Sequence, residues 1–417
     1  MELLKNLFKG DKVVWVVFML LCFISSIEVF SAASTLVYNT GDYWGPIRQH
    51  CGFLIAGTII VLIVQHIPLR MFKLAPVLLV ISWILLLIVM VKGARTNDAA
   101  RWIDFGFRFQ PSELTKMALI MTIAFILAFA QEANGASKKA FKYILIFTVP
   151  SLLLIAPENL STALLLGGVV FLMMIIGRTP LKQLGKLSLF VIIVAGVFVT
   201  FLMATPDSTL DNIPGGHRFT TWKARIIDHR DDNTKNISPE ELDVNENLQT
   251  NHANIAIATS HLIGKGPGNS KERDFLPQAY SDFIFAIILE ELGLLGGFFV
   301  IFLYIILLIR TSKIANKCDK DFPAMLAIGV SLLIVSQALL NMLVAVGLFP
   351  VTGQPLPLIS RGGTSTLINC VYIGVILSVS RYNNLQAEKQ KAIEEGNIQK
   401  IEQLEEINKG LEKEIQA

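Results

Sequence analysis

The sequence predicts an all-α, polytopic membrane protein with about ten transmembrane helices, and three observations predict it. Hydrophobic residues make up 53% of the 417 positions and charged residues 17%, too few charges to cover a soluble chain of this length. The apolar residues fall into roughly ten runs of bilayer-spanning length, taking about 20 residues per span. Lysine and arginine collect in alternate short loops, as the positive-inside rule requires of a multi-pass chain.

The first three runs contain "VVWVVFMLLCFISS", "FLIAGTIIVLIVQHI" and "APVLLVISWILLLIVMV". The first lacks a small-residue cleavage site and is followed by many more, so it reads as a retained helix. The next four contain "MALIMTIAFILAFA", "ILIFTVPSLLLIA", "TALLLGGVVFLMMII" and "LFVIIVAGVFVTFLMA". After a polar gap come "FIFAIILEELGLLGGFFVIFLYIILLI", "MLAIGVSLLIVSQALLNMLVAVGLF" and "STLINCVYIGVILSV". A spanning helix satisfies its own backbone polar groups, so each run is expected to be helical.

The basic segments "KNLFKGDK", "PLRMFK", "ASKKAFK", "GRTPLKQLGK" and "RTSKIANKCDK" place both termini on the cytoplasmic side. One outward loop, residues 92–110, is basic against that bias. The expected organisation is a ten-helix membrane domain over residues 1–381, with a large extracytoplasmic loop at about 205–281 between helices 7 and 8. Residues 382–417 form a charged, helical cytoplasmic tail. Ile401, Leu404, Leu411 and Ile415 fit a heptad seam with Asn408 at a polar seam position, so the tail is either a coiled coil or a solvated amphipathic helix.

Cys22, Cys51, Cys318 and Cys370 are scattered without CxxC spacing and read as small buried hydrophobes. The six histidines show no metal-ligand spacing. No tightly bound cofactor is expected, and the acidic run at 228–246 is either a solvated loop or an attractor of a divalent cation.

Three stretches carry chemistry. In "RFQPSELTK", Pro111 suits the first helical position, and Glu113 and Lys116 lie three apart on one helical face. Such a pair is costly inside a span unless it lines a polar cavity or closes a helix end. In "SDFIFAIILEELGLLGG", Asp282 opens the eighth run. It is read as a general base for a sugar hydroxyl, a helix N-cap, or both. Glu290 and Glu291, two turns further on, read as structural groups that meet partners inside the bundle. In "TGQPLPLISRGGTST", two prolines and a glycine pair break the helix. Arg361 matches phosphate geometry, and Gly362 and Gly363 let backbone N–H groups approach an anion. The residues alone leave a lipid-linked-sugar enzyme and a transporter equally open, because broken helices around a polar cavity mark both.

The stretches "ARWIDFGFRFQPSELTK", "PENLSTALLL", "LIGKGPGNSKERDFLPQAYSDFIFAIILEELGLLG" and "TGQPLPLISRGGTSTLINCVYIGVILSVSR" resemble the SEDS family (shape, elongation, division and sporulation) of the FtsW/RodA type. The "FLPQAYSDFIFAIILEE" block and "ILSVSR" lean towards its division branch. Three departures from the family pattern are Tyr280-Ser281 before the aspartate, Arg361 before the glycine pair, and "PENLST" for Pro-Asp-x-Gly-Thr.

The resemblance implies an inverting peptidoglycan glycosyltransferase of the inner membrane, acting on lipid II at the extracytoplasmic face during cell division. It places the catalytic residues at Asp282, Glu113 and Lys116. Substrate-binding candidates are Arg101, Trp102, Gln110, Ser360, Arg361, Gly362 and Gly363. Lys116, Arg101 or a divalent cation (Mg or Mn) would supply positive charge to the leaving diphosphate. The partners implied are lipid II, a class B penicillin-binding protein (the division transpeptidase), other divisome proteins and membrane lipid, with no nucleic acid. A lipid II flippase and a non-catalytic divisome scaffold are the alternatives.

Overall fold

The computed structural model describes residues 8–33, 41–42, 44–92, 94–96, 99–104, 108–132, 135–211, 216–234, 248–276 and 279–395. Each of the ten apolar runs forms a helix. The first seven are α1 (Lys12–Ala32), α2 (Gly45–Val64), α3 (Ala75–Lys92), α4 (Pro111–Phe129), α5 (Lys138–Ile155), α6 (Leu160–Ile176) and α7 (Leu181–Ala204). In the large loop, a single helical turn at Asp207–Asp211 is followed by two longer helices, α8 (His217–Thr234) and α9 (Leu248–Ala258). The last three are α10 (Ile284–Ala315), α11 (Asp321–Ala345) and α12 (Gly363–Glu394).

Eight of these helices are long and apolar enough to cross a membrane. Of the other two apolar runs, α6 has only 17 residues, and α5 opens with Lys138, Lys139 and Lys142. All ten apolar runs are thus helical, and eight of them have spanning length.

Local chemistry sets the ends. Asp11 caps α1 by accepting from the Val13 and Val14 N–H groups at 2.9 and 3.2 Å, which satisfies two orphan donors of the first turn. Its other oxygen accepts from Arg310 Nε at 2.7 Å, tying the start of α1 to the far half of α10. Pro111 occupies the first position of α4, as its missing N–H favours.

Helices α4, α11 and α12 form the buried centre, and α4 packs on α3, α5, α6, α11 and α12. By contrast α7 buries only Leu184 and Leu202. A helix apolar on all sides with so little protein contact has its surface satisfied by lipid.

Three local features go beyond what the sequence reading specified. In the basic loop, β1 (Ala94–Thr96), β2 (Ala99–Asp104) and β3 (Arg108–Phe109) make a small antiparallel sheet in the order β1-β2-β3. A second pair, β4 (Gln131–Glu132) and β5 (Gly135–Ala136), links α4 to α5. The large loop is helical where Phe219 and Trp222 of α8 meet Phe198 of α7 edge-on; aromatic packing outweighs its turn-rich composition. Finally, α12 runs unbroken past residue 381 to Glu394, since nothing there breaks a helix, so the membrane domain and the tail share one rod. The heptad positions at 401–415 lie outside the described residues, as do positions 235–246 of the acidic run.

Candidate functional site

The eighth apolar run, opened by Asp282, is not one continuous spanning helix. Gly293 has φ 74° and ψ −175°, which divides α10 into a short segment before it and the long span after it. The cause is a close backbone approach: a Cβ on Gly293 would sit 2.4 Å from the Gly264 nitrogen. Only glycine admits both that contact and that backbone angle. Asp282 therefore stands ahead of a short helix rather than at the mouth of a spanning one. It is also not the N-cap, a position held by Phe283 without a side-chain hydrogen bond.

Glu290 and Glu291 hold the break together. Glu290 pairs with Lys265 Nζ at 2.5 Å and accepts from Ser270 Oγ and the Lys271 N–H. Glu291 accepts from Ser31 Oγ and from the N–H groups of Gly268 and Ser270, at 2.9 and 3.2 Å for the last two. Arg273 Nη1 lies 3.8 Å from it and donates to Ser31 Oγ at 2.7 Å. Both glutamates are fully buried, and every carboxylate oxygen is engaged. They fold the 264–273 segment onto α10 and α1.

Asp282 is different. It is half-buried, and its Oδ1 accepts from Ser281 Oγ at 2.9 Å. Its segment is fixed from below by Phe283, Ala286 and Ile287, which pack with Ala253 and Ala256 of α9, Leu276 and Ala32. Asn341 of α11 donates at once to the carbonyl oxygens of Asp282 and Gln354, at 2.8 and 2.7 Å. Ser360 Oγ donates to Ser281 O at 2.5 Å and accepts from Leu356 N–H at 2.7 Å. Gly353 (φ 65°) lies against the carboxylate, since a Cβ built there would be 3.5 Å from Oδ2.

The 347–362 loop thus turns back into the bundle, with Leu356, Leu358 and Ile359 buried. Tyr304 of α10 donates to Pro357 O from below.

The Glu113–Lys116 pair forms as the spacing predicts, with Lys116 Nζ 2.7 Å from Glu113 Oε1 and both side chains buried. Lys116 also donates to Gln337 Oε1 at 3.1 Å. Gln337 Nε2 in turn donates to Pro355 O at 3.1 Å. The ion pair is therefore wired through α11 into the same loop that frames Asp282. Glu113 Oε2 has no hydrogen-bond partner among the described residues, so one carboxylate oxygen keeps an unused acceptor.

Other sequence candidates fall as follows. Arg361 N–H donates to Tyr280 O at 2.9 Å. Its guanidinium lies 5.6 Å from the Tyr280 ring centroid and donates to Gln49 Oε1 at 2.7 Å. Burial lowers the Arg361 pKa from its usual value, with Tyr280 opposing. Gly362 is extended and caps α12, while Gly363 gives the Phe53 ring room, at 3.2 Å from an added Cβ. Gln110 donates to Ser112 Oγ at 3.0 Å beside the start of α4. Trp102 is half-buried on β2, a strand that packs on α3 and α4. The Arg101 backbone lies in the same strand, but its side chain is outside the described part. Ser360 supports backbone rather than facing open space.

Sequence reasoning missed Gln337 and Asn341. They sit four apart in the ninth run, "VSQALLNMLVA", on one helix face. Two amides at that spacing in an apolar span are the signal that finds them. Gln354, which donates to Thr162 Oγ1, and Asn159, which caps α6 through Thr162 N–H at 3.0 Å, give the "PENLST" stretch its place beside this loop.

Fold and site together define a polytopic helical membrane protein with a carboxylate-bearing polar site at one end of its bundle. The sequence profile of the FtsW/RodA/SpoVE cell cycle proteins matches residues 11–385, and the chain belongs to that family. It is 29% identical over 387 residues to a probable peptidoglycan glycosyltransferase FtsW of Geobacter metallireducens, covering 90% of this chain and 96% of that one. It is 28% identical over 361 residues to the peptidoglycan glycosyltransferase MrdB of Escherichia coli K12, covering 84% and 91%. Among solved structures, a chain of a peptidoglycan synthase complex superposes with a TM-score of 0.69 at 23% identity, covering 90% of this chain and 98% of that one. The rod shape determining protein RodA of Thermus thermophilus gives 0.61 at 21%, again with 90% and 98% coverage. At such identities these two speak for the fold alone.

Proposed function

We propose that this protein is a peptidoglycan glycosyltransferase that polymerises lipid II at the extracytoplasmic face of the membrane, with Asp282 as general base. The observation that carries the reading is the contrast within one short segment. Asp282 is half-exposed and held by its backbone from two sides, whereas Glu290 and Glu291 are spent on structure. The relatives named as peptidoglycan glycosyltransferases supply the reaction class.

Asp282 takes the proton of an acceptor sugar hydroxyl. The oxygen attacks the anomeric carbon of the donor, and the lipid diphosphate leaves. A single displacement inverts the anomeric centre. The Ser281 hydroxyl and the Asn341 clamp aim the carboxylate, and a base placed so contributes about a hundred- to ten-thousandfold in rate. The Lys116–Glu113 pair acts through Gln337 by fixing the loop at Pro355.

Among the described residues no three His, Cys, Asp or Glu side chains converge to hold a metal ion. A divalent cation, where present, would accompany the substrate diphosphate and supply positive charge to the leaving group. The division role rests on the division-type block around Asp282 and on FtsW-named relatives; the MrdB relative is nearly as similar. A penicillin-binding-protein partner is supported by the neighbour being part of a synthase complex that coordinates polymerisation and crosslinking. The alternation of basic loops supports cytoplasmic termini.

The test is a gel assay of labelled lipid II with purified protein, with and without its cognate transpeptidase and divalent cation. Glycan ladders from wild type and none from Asp282→Asn support the reading. Ladders from both would remove Asp282 as the base. Lipid II transport across vesicles with no ladder from any sample would point to a flippase.

A further inference from the structure

The opposite end of the bundle holds a cavity of about 470 Å³, lined by the segment after α2, the start of α11 and the end of the apolar part of α12. Four cations line it: Arg70, Lys73, Lys320 and Arg381. Lys73, Lys320 and Arg381 ion-pair with no carboxylate among the described residues. Asp319 and Asp321 flank Lys320 in sequence but do not line the cavity.

The walls are fixed independently of any ligand. Ser378 Oγ donates to Ile67 O at 2.9 Å, and Arg381 Nη1 reaches His66 O at 3.5 Å, joining α12 to the loop after α2. Lys73 Nζ lies 5.8 Å from the Phe322 ring centroid. Like charges gathered from three segments repel one another, and a matching anion relieves that repulsion. A guanidinium beside two ammonium groups suits phosphate oxygens. Leu69, Phe322 and Leu385 give the same cavity an apolar side, at the end of the apolar run of α2 and the start of that of α11.

We propose that this pocket binds a phosphate-bearing anion, in the manner of basic pockets between helices that hold acidic lipid headgroups. The phosphate belongs either to an anionic phospholipid of the surrounding leaflet or to a soluble phosphorylated compound. The site is remote from Asp282 and independent of the glycosyltransferase reading.

The experiment follows the melting temperature of the full chain in neutral detergent against phosphatidylglycerol, with phosphatidylcholine as control, and separately against inorganic phosphate. A ligand of the folded state raises the midpoint by mass action. Saturable stabilisation by phosphatidylglycerol alone assigns a lipid site; stabilisation by phosphate as well assigns a soluble anion. Each lost cation should weaken binding about fivefold. The Lys73→Gln/Lys320→Gln double variant, at exposed positions, should therefore bind tens of times more weakly at an unchanged unliganded midpoint. Arg381→Gln should add to that loss. The Lys138→Gln/Lys139→Gln control, elsewhere on the surface, should bind as wild type. Stabilisation by neither probe, or equal loss in the control variant, overturns the proposal.

Discussion

Asp282 and Glu291 stand nine positions apart, carry the same functional group and lie on one side of the Gly293 break, yet the molecule treats them in opposite ways. Glu291 is fully buried and receives two backbone N–H groups, a serine hydroxyl and a guanidinium. Asp282 is half-exposed; Ser281 Oγ donates to its carboxylate, and Asn341 and Ser360 clamp the Asp282 and Ser281 carbonyls. A carboxylate saturated by donors is a structural anchor. A carboxylate whose main chain is clamped while its oxygens stay within reach is prepared for proton transfer.

The largest expected effect tests the second half of that contrast. Asp282→Asn keeps size and shape and removes the base, so polymerisation should fall by about a hundred- to ten-thousandfold with the melting midpoint unchanged. A variant with wild-type ladders, or one that melts far earlier, would break the comparison at once.

Glu291→Ala tests the first half. It leaves the Gly268 and Ser270 N–H groups and the Ser31 hydroxyl without their acceptor and takes a carboxylate from beside the half-buried Arg273, a loss of about 3 kcal/mol. Thermal melts in detergent should show a much lower midpoint, and any activity lost should track the folded fraction. A stable but inactive Glu291 variant would give that residue a chemical role the geometry does not.

How far the sequence reaches into this comparison depends on which interactions are local. The ten apolar runs, the Pro111 start of α4 and the Glu113–Lys116 pair were all legible, because each follows from spacing along one helix. Asp282 was legible as a carboxylate out of place in an apolar context. The break at Gly293 was not, since it follows from the approach of Gly264, nearly thirty positions away. Nor was the role of Ser360, whose partner is a carbonyl 79 positions earlier. Gln337 and Asn341 lie between these cases. Their face was readable, but their partners on the 347–362 loop were not. The small sheet at 94–109 escaped because tertiary packing on α3 and α4, more than strand propensity, holds it.

A smaller effect sharpens the comparison at the carboxylate itself. Ser281 gives the Asp282 carboxylate a side-chain donor, and a hydrogen bond to a charged, partly solvated group is worth about 1.5 kcal/mol. Ser281→Ala should lower turnover about tenfold. The midpoint should hold, because the Ser281 carbonyl still accepts from Ser360. A raised KM with kcat unchanged would point instead to a contact with substrate.

The smallest change separates shape from chemistry. Gly353 takes φ 65°, and its α-carbon passes so close to Asp282 that an added Cβ would lie 3.5 Å from Oδ2. That distance is ordinary contact, so Gly353→Ala causes no clash with the carboxylate. Its cost is the backbone angle, about 1–2 kcal/mol for a residue with a side chain. The loop can relieve that strain by moving away from Asp282 or keep its place and melt slightly earlier. Because Asn341 binds Gln354 and Asp282 together, the second response is expected: a midpoint a few degrees lower, with turnover within about threefold of wild type. A large loss of turnover at an unchanged midpoint would mean that the loop had moved. It would also show that the reach of the Asp282 oxygens depends on the loop more than on the Asn341 clamp.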